Sequence, residues 1–377
     1  MIKRIIGSLG VAAVLLAVPA IAGASVAFTK IVAPYTFTSQ PANSTIYIYN
    51  HFKGSAPKTV ALNVKGAEPE ISPDGKIVAY SKVSSVKIKN SMGSGTVDKY
   101  LLHFVTVATN VDVATTNQCQ NFTWAPDSSA VACDLVSATG KGPTGLITVT
   151  PDGTPTTIVE NTNTVSVGWN SITWSPDSSM VAWTSSVSSP TVTSGFNPNK
   201  LRAKKADGTG SLIKLSNNAS MPVWGPTHIA YQSFMGSGDS MKAQIWTVDP
   251  TTHNSSTATQ LTHWTQPKNS FDSGPGAFFW TPNGKTIIGA IMGEDDDANT
   301  VSINAATGKI TTIGTGDSNA PIAVSSDSSS ILMYSYSQAC CATKDIGIVR
   351  TVSLSTGKST VFMNNVSYMS ASADWRP

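Results

Sequence analysis

The sequence predicts an all-β chain, a seven-bladed β-propeller of four-stranded antiparallel blades. Three observations carry that expectation. A Pro-Asp turn between β-branched and aromatic runs returns about every fifty residues. A second hairpin with a Gly- or Asn-containing turn follows it. Helical periodicity is absent from the repeated region.

Composition sets the outer limits before any element is assigned. Of the 377 residues, 12% are charged, against roughly a quarter in an average soluble domain, so the surface is rich in hydroxyls. Lys plus Arg total 25 and Asp plus Glu 22, a net charge of +3. That excess is too small and too scattered to track a phosphate backbone, so nucleic acid is excluded as a partner class.

The chain opens on a different material. Lys3 and Arg4 precede an almost wholly apolar run from Ile5 to Val18, and Ala20-Ile21-Ala22 and Ala22-Gly23-Ala24 both offer a small-x-small cleavage pattern. Residues 1–24 therefore read as a secretion signal, and 25–377 as one propeller domain. The product is expected outside the cell or in the periplasm and cell envelope. A membrane enters only if the segment stays uncleaved, since its apolar run reaches the lower limit for spanning a bilayer.

Next come three strands that begin in mid-unit. SVAFTK (25–30) matches IVAYSK (77–82), the strand after the first Pro-Asp turn, and STIYIYN (44–50) and KTVALNV (58–64) read as the two strands that follow it. The repeated turns are ISPDGKIVAY (71–80), WAPDSSAVAC (124–133), WSPDSSMVAW (174–183), WGPTHIAY (224–231), WTPNGKTIIGA (280–290) and VSSDSSSILMY (324–334), with a cut-off copy, DWRP, at 374–377. In this turn Pro presets φ, Ser or Asp side chains bond nearby backbone, and Gly takes the conformation that the fourth position often needs. Asp74, Asp127 and Asp177 are therefore expected to be structural. Where Ser128, Ser178 or Ser328 replaces Gly, the turn should persist at a conformational cost. Trp124, Trp174, Trp224 and Trp280 share one slot before the turn and should pack between blades.

The second hairpins are TVTPDGTPTTIVE (148–160), KKADGTGSLIKLS (204–216), TVDPTTHNSSTATQLT (247–262), SINAATGKITTIG (302–314) and SLSTGKSTVFM (353–363). Each unit is thus four antiparallel strands, a to d. The last a-strand has no partners after it, so residues 25–64 are expected to supply the rest of its blade and close the ring between the N- and C-terminal strands. The alternative is six blades with residues 25–64 packed as an appendage. Of the four cysteines, Cys119 and Cys133 flank one turn and Cys340 and Cys341 are adjacent. Four cysteines allow three pairings, and Cys133 also suits a small core residue in the slot of Tyr80 and Trp183.

The xWSPDGxxIAY turn followed by an xxADGTGxxxLT hairpin resembles the WD40-like (PD40) β-propeller repeats of TolB-like proteins, shared with the propeller domains of prolyl-oligopeptidase relatives. The resemblance covers nearly all of 25–377 and implies the fold far more than the function. Two departures stand out. Ser326 replaces Pro in the sixth copy, and the separate N-terminal domain of TolB and the hydrolase domain of the peptidases have no counterpart.

Loops divide by face. The a–b and c–d turns are short, whereas the connections on the other face are long, notably 84–98, 184–199, 233–241, 264–277 and 337–345, and variable loops on a rigid scaffold are where binding resides. No G-x-S-x-G, H-E-x-x-H or Cys-x-x-Cys occurs, so no cofactor, metal or catalytic residue is assigned. The five His are dispersed and read as solvated. Glu294-Asp295-Asp296-Asp297 reads as a solvated hairpin tip, and Lys200, Arg202, Lys204 and Lys205 as a basic edge that alternation splits between two faces. Glu68 and Glu70 near the channel mouth would suit an acid–base pair.

Residues that enter the a-strands should ring that mouth: Glu70, Asn117, Gln118, Trp169, Asn170, Asn218, Phe271, Asp272 and Asn319. Amides with two aromatic rings suit a hydroxyl-rich or peptide ligand. The expectation is an exported, non-catalytic propeller that binds a protein, peptide or cell-envelope glycan. The alternative is a secreted polysaccharide lyase or hydrolase with its site in the channel.

Overall fold

A computed structural model describes residues 23–29, 44–52, 58–90, 93–135, 145–160, 172–185, 199–236, 242–251, 257–267, 274–292, 298–314, 319–336, 347–366 and 371–376. Among them there is no α-helix, and the strands run in chain order as follows. They are β1 (Gly23–Thr29), β2 (Ser44–Phe52), β3 (Lys58–Ile71), β4 (Ile77–Asn90), β5 (Gly93–Thr106), β6 (Asp112–Trp124), β7 (Val131–Leu135), β8 (Gly145–Val149), β9 (Pro155–Glu160), β10 (Ile172–Trp174), β11 (Met180–Ser185), β12 (Lys200–Lys205) and β13 (Ile213–Ser216). Then come β14 (Ser220–Trp224), β15 (Ile229–Met235), β16 (Lys242–Val248), β17 (Thr259–Gln260), β18 (Pro275–Trp280), β19 (Thr286–Met292), β20 (Ala298–Asn304), β21 (Ile310–Gly314), β22 (Asn319–Val324), β23 (Ser330–Tyr336), β24 (Gly347–Ser353), β25 (Ser359–Val366) and β26 (Ala371–Arg376).

Four four-stranded antiparallel sheets, β10–β13, β14–β17, β18–β21 and β22–β25, each contain one Pro-Asp-type unit. The other ten strands form one hydrogen-bonded series, β26-β1-β2-β3-β4-β5-β6-β7-β8-β9. It divides by the same unit. β3 pairs with β2 up to Gly66 and with β4 from Ala67, and β6 pairs with β5 up to Gln118 and with β7 from Cys119. Each of these two strands is the fourth of one unit and the first of the next.

Apolar clusters fill the spaces between successive sheets, so an inner strand such as β8 is buried along its whole length, while an outer strand such as β9 stays mostly exposed. One cluster joins Ala79 and Phe104 to Phe122, Trp124 and Ile147; another joins Leu146 and Ile158 to Trp174, Val181 and Trp183. Trp124 and Trp174 are buried, while Trp224 and Trp280 are half-buried. Their indoles tie the seams. Nε1 of Trp124 donates to the Glu70 carbonyl at 3.1 Å, that of Trp174 to Thr123 at 3.0 Å, and that of Trp280 to Val223 at 3.1 Å. Each acceptor lies one residue before the equivalent slot of the preceding unit.

The Asp side chains close their own turns, as expected. Asp177 accepts from the Ser175 hydroxyl at 2.6 Å and from the Ser179 backbone N–H at 3.1 Å, and these bonds hold its carboxyl below the usual range. The three Ser at the fourth position have φ of 65°, 60° and 60°, like Gly75 at 72°. Their hydroxyls explain their presence. Ser128 Oγ accepts the Asp74 N–H of the preceding turn at 2.9 Å, Ser178 accepts that of Asp127 at 3.1 Å, and Ser328 that of Asn283 at 3.1 Å. A side chain that offsets left-handed strain by sealing neighbouring turns replaces the freedom of glycine.

Several expectations need correction. The span 84–98, read as a loop, belongs almost wholly to an antiparallel ladder of β4 and β5 that continues to the pair Asn90 and Gly93. Lys200, Arg202 and Lys204 share one half-buried face, and only Lys205 falls on the other. Lys204 Nζ donates to the Ile158 carbonyl at 2.9 Å, so it is a seam residue. The cysteine pairing, left open by the sequence, is a disulfide of Cys119 with Cys133 within the β6–β7 pair, with Cα atoms 5.5 Å apart. Cys340, Cys341 and Glu294 to Asp297 lie outside the described residues.

Candidate functional site

The first strands of successive units lie side by side, β6 beside β10, β10 beside β14, β14 beside β18 and β18 beside β22. The expected site residues fall on or just before these strands. Glu70 is on β3, Asn117 and Gln118 are on β6 where it passes from one unit to the next, Asn218 precedes β14, and Asn319 opens β22. Trp169, Asn170, Phe271 and Asp272 lie outside the described residues.

Their surroundings differ. Asn218 is committed to its own unit: its Nδ2 donates to the Phe234 carbonyl at 2.7 Å, and its N–H to Ser216 Oγ at 3.2 Å. Asn117 donates its backbone N–H to Thr115 Oγ1 at 3.1 Å, while its Nδ2 is buried with no partner among the described residues. Gln118 is half-buried and pairs in register with Leu101. Glu70 is half-buried, one residue before Ile71, and its carbonyl takes the Trp124 indole. Burial pushes its carboxyl up to about 8, the neighbouring Glu68 adds to the rise, and the Trp124 backbone opposes it. Burial alone also raises Glu68.

Three features escaped the sequence reading. Glu68, Asn121 and Met221 hold φ of 51°, 52° and 50°, each three residues before Ile71, Trp124 and Trp224. Each lies at a register shift in its first strand. A bulge re-aims side chains and increases twist, and a non-glycine residue in this region costs on the order of 1–3 kcal/mol. The recurrence at one slot marks a built feature at the entrance of the first strands. Asn tolerates this region, but nothing in Glu or Met as residue types signals it.

Asp134 on β7 is 5% exposed, pairs in register with Gln120 and Leu146, and is pushed up to about 7 by burial. His103, expected to be solvated, is 4% exposed. Its Nδ1 lies 3.2 Å from both carboxylate oxygens of Asp112 and 3.4 Å from the Tyr80 hydroxyl. Register explains the group: Tyr80 and His103 are direct partners on β4 and β5, and Asp112 is two residues ahead of His103's partner Ala114 on β6. Burial and the Asp112 charge push the Tyr80 phenol up. Among the described residues no group of three His, Cys, Asp or Glu is placed to hold a metal.

No protein-family model matches the sequence, and no curated protein does. Solved structures do. TolB from Acinetobacter baumannii is 12% identical with a TM-score of 0.51, over 90% of this chain and 81% of that one. The β-propeller domain of the Trilobed protease from Pyrococcus furiosus is 11% identical with a TM-score of 0.57, over 90% and 100%. An oligogalacturonate lyase in complex with manganese is 14% identical with a TM-score of 0.54, over 78% and 75%. At these identities the likeness shows the fold alone, a β-propeller of the kind found in TolB and related proteins, a scaffold that hosts unrelated activities.

Proposed function

We propose that the chain is an exported, non-catalytic propeller that binds a protein, peptide or cell-envelope glycan on its loop-rich face. Residues 1–24 direct its export and 25–377 form one domain of seven blades. Closure of the ring is supported by β26 pairing with β1 within the domain, from Ser25 and Asp374 to Phe28 and Ala371, and by β26 lying beside both β22 and β3. The Cys119–Cys133 disulfide suits an oxidising compartment outside the cytosol or in the periplasm.

The observation that carries the binding reading is the contrast between faces. One carries tight turns closed by Asp and sealed to one another through Ser hydroxyls. At the opposite strand ends stand the β4–β5 extension and the ends of the strands that the long connections join. A stiff base with variable loops opposite is the arrangement binding sites use. Glu70, Asn117, Gln118, Trp169, Asn170, Asn218, Phe271, Asp272 and Asn319 are assigned to the site, with Trp169 as the chief apolar contact. The second reading, a polysaccharide lyase or hydrolase, draws on the Glu68–Glu70 pair, because a carboxyl held near 8 beside another acid is the kind of group that transfers protons.

Purified protein and its Trp169→Ala variant, applied to arrays of envelope glycans and peptides and assayed for polysaccharide cleavage, separate these readings. Binding without cleavage, lost in the variant at an unchanged melting temperature, supports the first. Cleavage abolished by Glu70→Gln would replace it with the second.

A further inference from the structure

Five Pro-Asp-type turns share one geometry, and four of them carry Asp at the third position: Asp74, Asp127, Asp177 and Asp327. The fifth carries Asn283, followed by Gly284, the chain's single Asn-Gly step. Asn-Gly is chemically labile because no side chain shields the glycine nitrogen. Here Asn283 is exposed to water.

Yet the turn holds both the attacking nitrogen and the side-chain oxygen of the group it would attack. The Gly284 N–H donates to the Thr281 carbonyl at 2.8 Å. The Asn283 side-chain oxygen accepts from the Thr281 hydroxyl at 2.8 Å and from the Lys285 N–H at 2.9 Å. The Asn283 N–H is held across the seam by Ser328 Oγ at 3.1 Å. Gly284 has φ of 68°, and a Cβ there would stand 3.2 Å from Pro226 Cγ, so the backbone is braced from the preceding unit too.

We propose that Asn283 is a deamidation site gated by opening of this turn. When the turn opens, the deprotonated Gly284 nitrogen attacks the Asn283 side-chain carbonyl carbon. A C–N bond forms, ammonia leaves, and a five-membered succinimide remains. Water then opens either carbonyl of the ring, giving Asp or isoaspartate at 283. No oxidant or further reactant is needed.

The two products have opposite fates. Asp at 283 reproduces the other four turns, and it stands two residues before Lys285 as Asp74 stands before Lys76, whose Nζ lies 3.0 Å from the Asp74 carboxylate. Isoaspartate routes the backbone through an extra methylene, which displaces Gly284 from Thr281 and the 283 N–H from Ser328. The β18–β21 and β22–β25 sheets then lose their turn-to-turn bond. Conversion is self-healing in one branch and loosens the seam in the other.

The test incubates the full-length protein at pH 8.5, folded and in guanidinium chloride, and measures Asp and isoaspartate at 283 by peptide mapping. Conversion should be at least roughly tenfold faster in the unfolded chain, as for any reaction that proceeds through local opening. Ser328→Ala should raise the folded-state rate several-fold, while Asn283→Asp should melt with the wild type. Equal rates in folded and unfolded protein, no conversion in either, or no effect of Ser328→Ala would each overturn the gate.

Discussion

Replacing Trp174 by Ala probes the seam that builds the fold. The side chain is 6% exposed and packs with Ala125, Ala132, Leu146, Val181 and Trp183, so truncation removes nearly all of a buried indole. Deletions of that size cost about 3–5 kcal/mol. The indole N–H also satisfies the Thr123 carbonyl at 3.0 Å, and an orphaned buried acceptor adds about 1 kcal/mol. The expected loss is therefore roughly 4–6 kcal/mol, a large part of the 5–15 kcal/mol that holds a typical domain. Trp174→Phe separates the two terms, because it keeps most of the apolar contact and loses the bond, and should cost about 1–2 kcal/mol. Urea titrations followed by tryptophan fluorescence and circular dichroism give both values. A loss below about 1 kcal/mol for the Ala variant would refute the seam account.

Further outcomes follow from the same geometry. Glu70 is raised from 4.5 to about 8, so the folded state holds its proton more tightly than the unfolded one. Its contribution is fully present below about pH 4.5 and is lost as pH rises to about 8, by at most about 5 kcal/mol. Glu70→Gln should abolish the fall between about pH 5 and 8 in urea midpoints; an identical slope in both proteins would contradict the assignment. Ser178→Ala keeps the left-handed strain but removes the acceptor for Asp127, and should cost about 0.5–1.5 kcal/mol, whereas an unchanged midpoint would show that the hydroxyl bond is idle. Asp177 and Asp327 are lowered by Ser hydroxyl and backbone donors, so the stability they supply is present above the ordinary carboxylate range and lost on acidification. Asp177→Asn should weaken the acid limb of the stability profile and leave the alkaline limb intact.

The parts of this fold that repeat were legible, because the turn chemistry and the Trp slot recur with each unit. Asp177 and Trp174 could be given roles from spacing alone. What could not be read is whatever depends on contact between units some fifty residues apart. Ser128, Ser178 and Ser328 looked like costly substitutes for Gly, and only their bonds to the preceding turns show what they do. His103 looked solvated because strand register, not sequence, brings it to Tyr80 and Asp112. The bulges at Glu68, Asn121 and Met221 share no residue signature, since only Asn favours the left-handed region. The β4–β5 extension was hidden by its Lys, Ser and Gly content, although Val86, Ile88 and Val97 alternate through it as strand residues do. At the site, Glu70 and Asn218 turned out to carry structural bonds that a list of channel residues does not reveal.

Ring closure is the claim on which the seven-bladed account rests, and removing β26 tests it. The full-length protein and a version lacking residues 371–377 are melted side by side by circular dichroism. With closure, deletion strips β1 of its partner and leaves an open strand edge. The melting temperature should then fall by at least about 5 °C, with loss of solubility. An unchanged melting temperature and a soluble monomer would contradict closure and favour six blades with an N-terminal appendage.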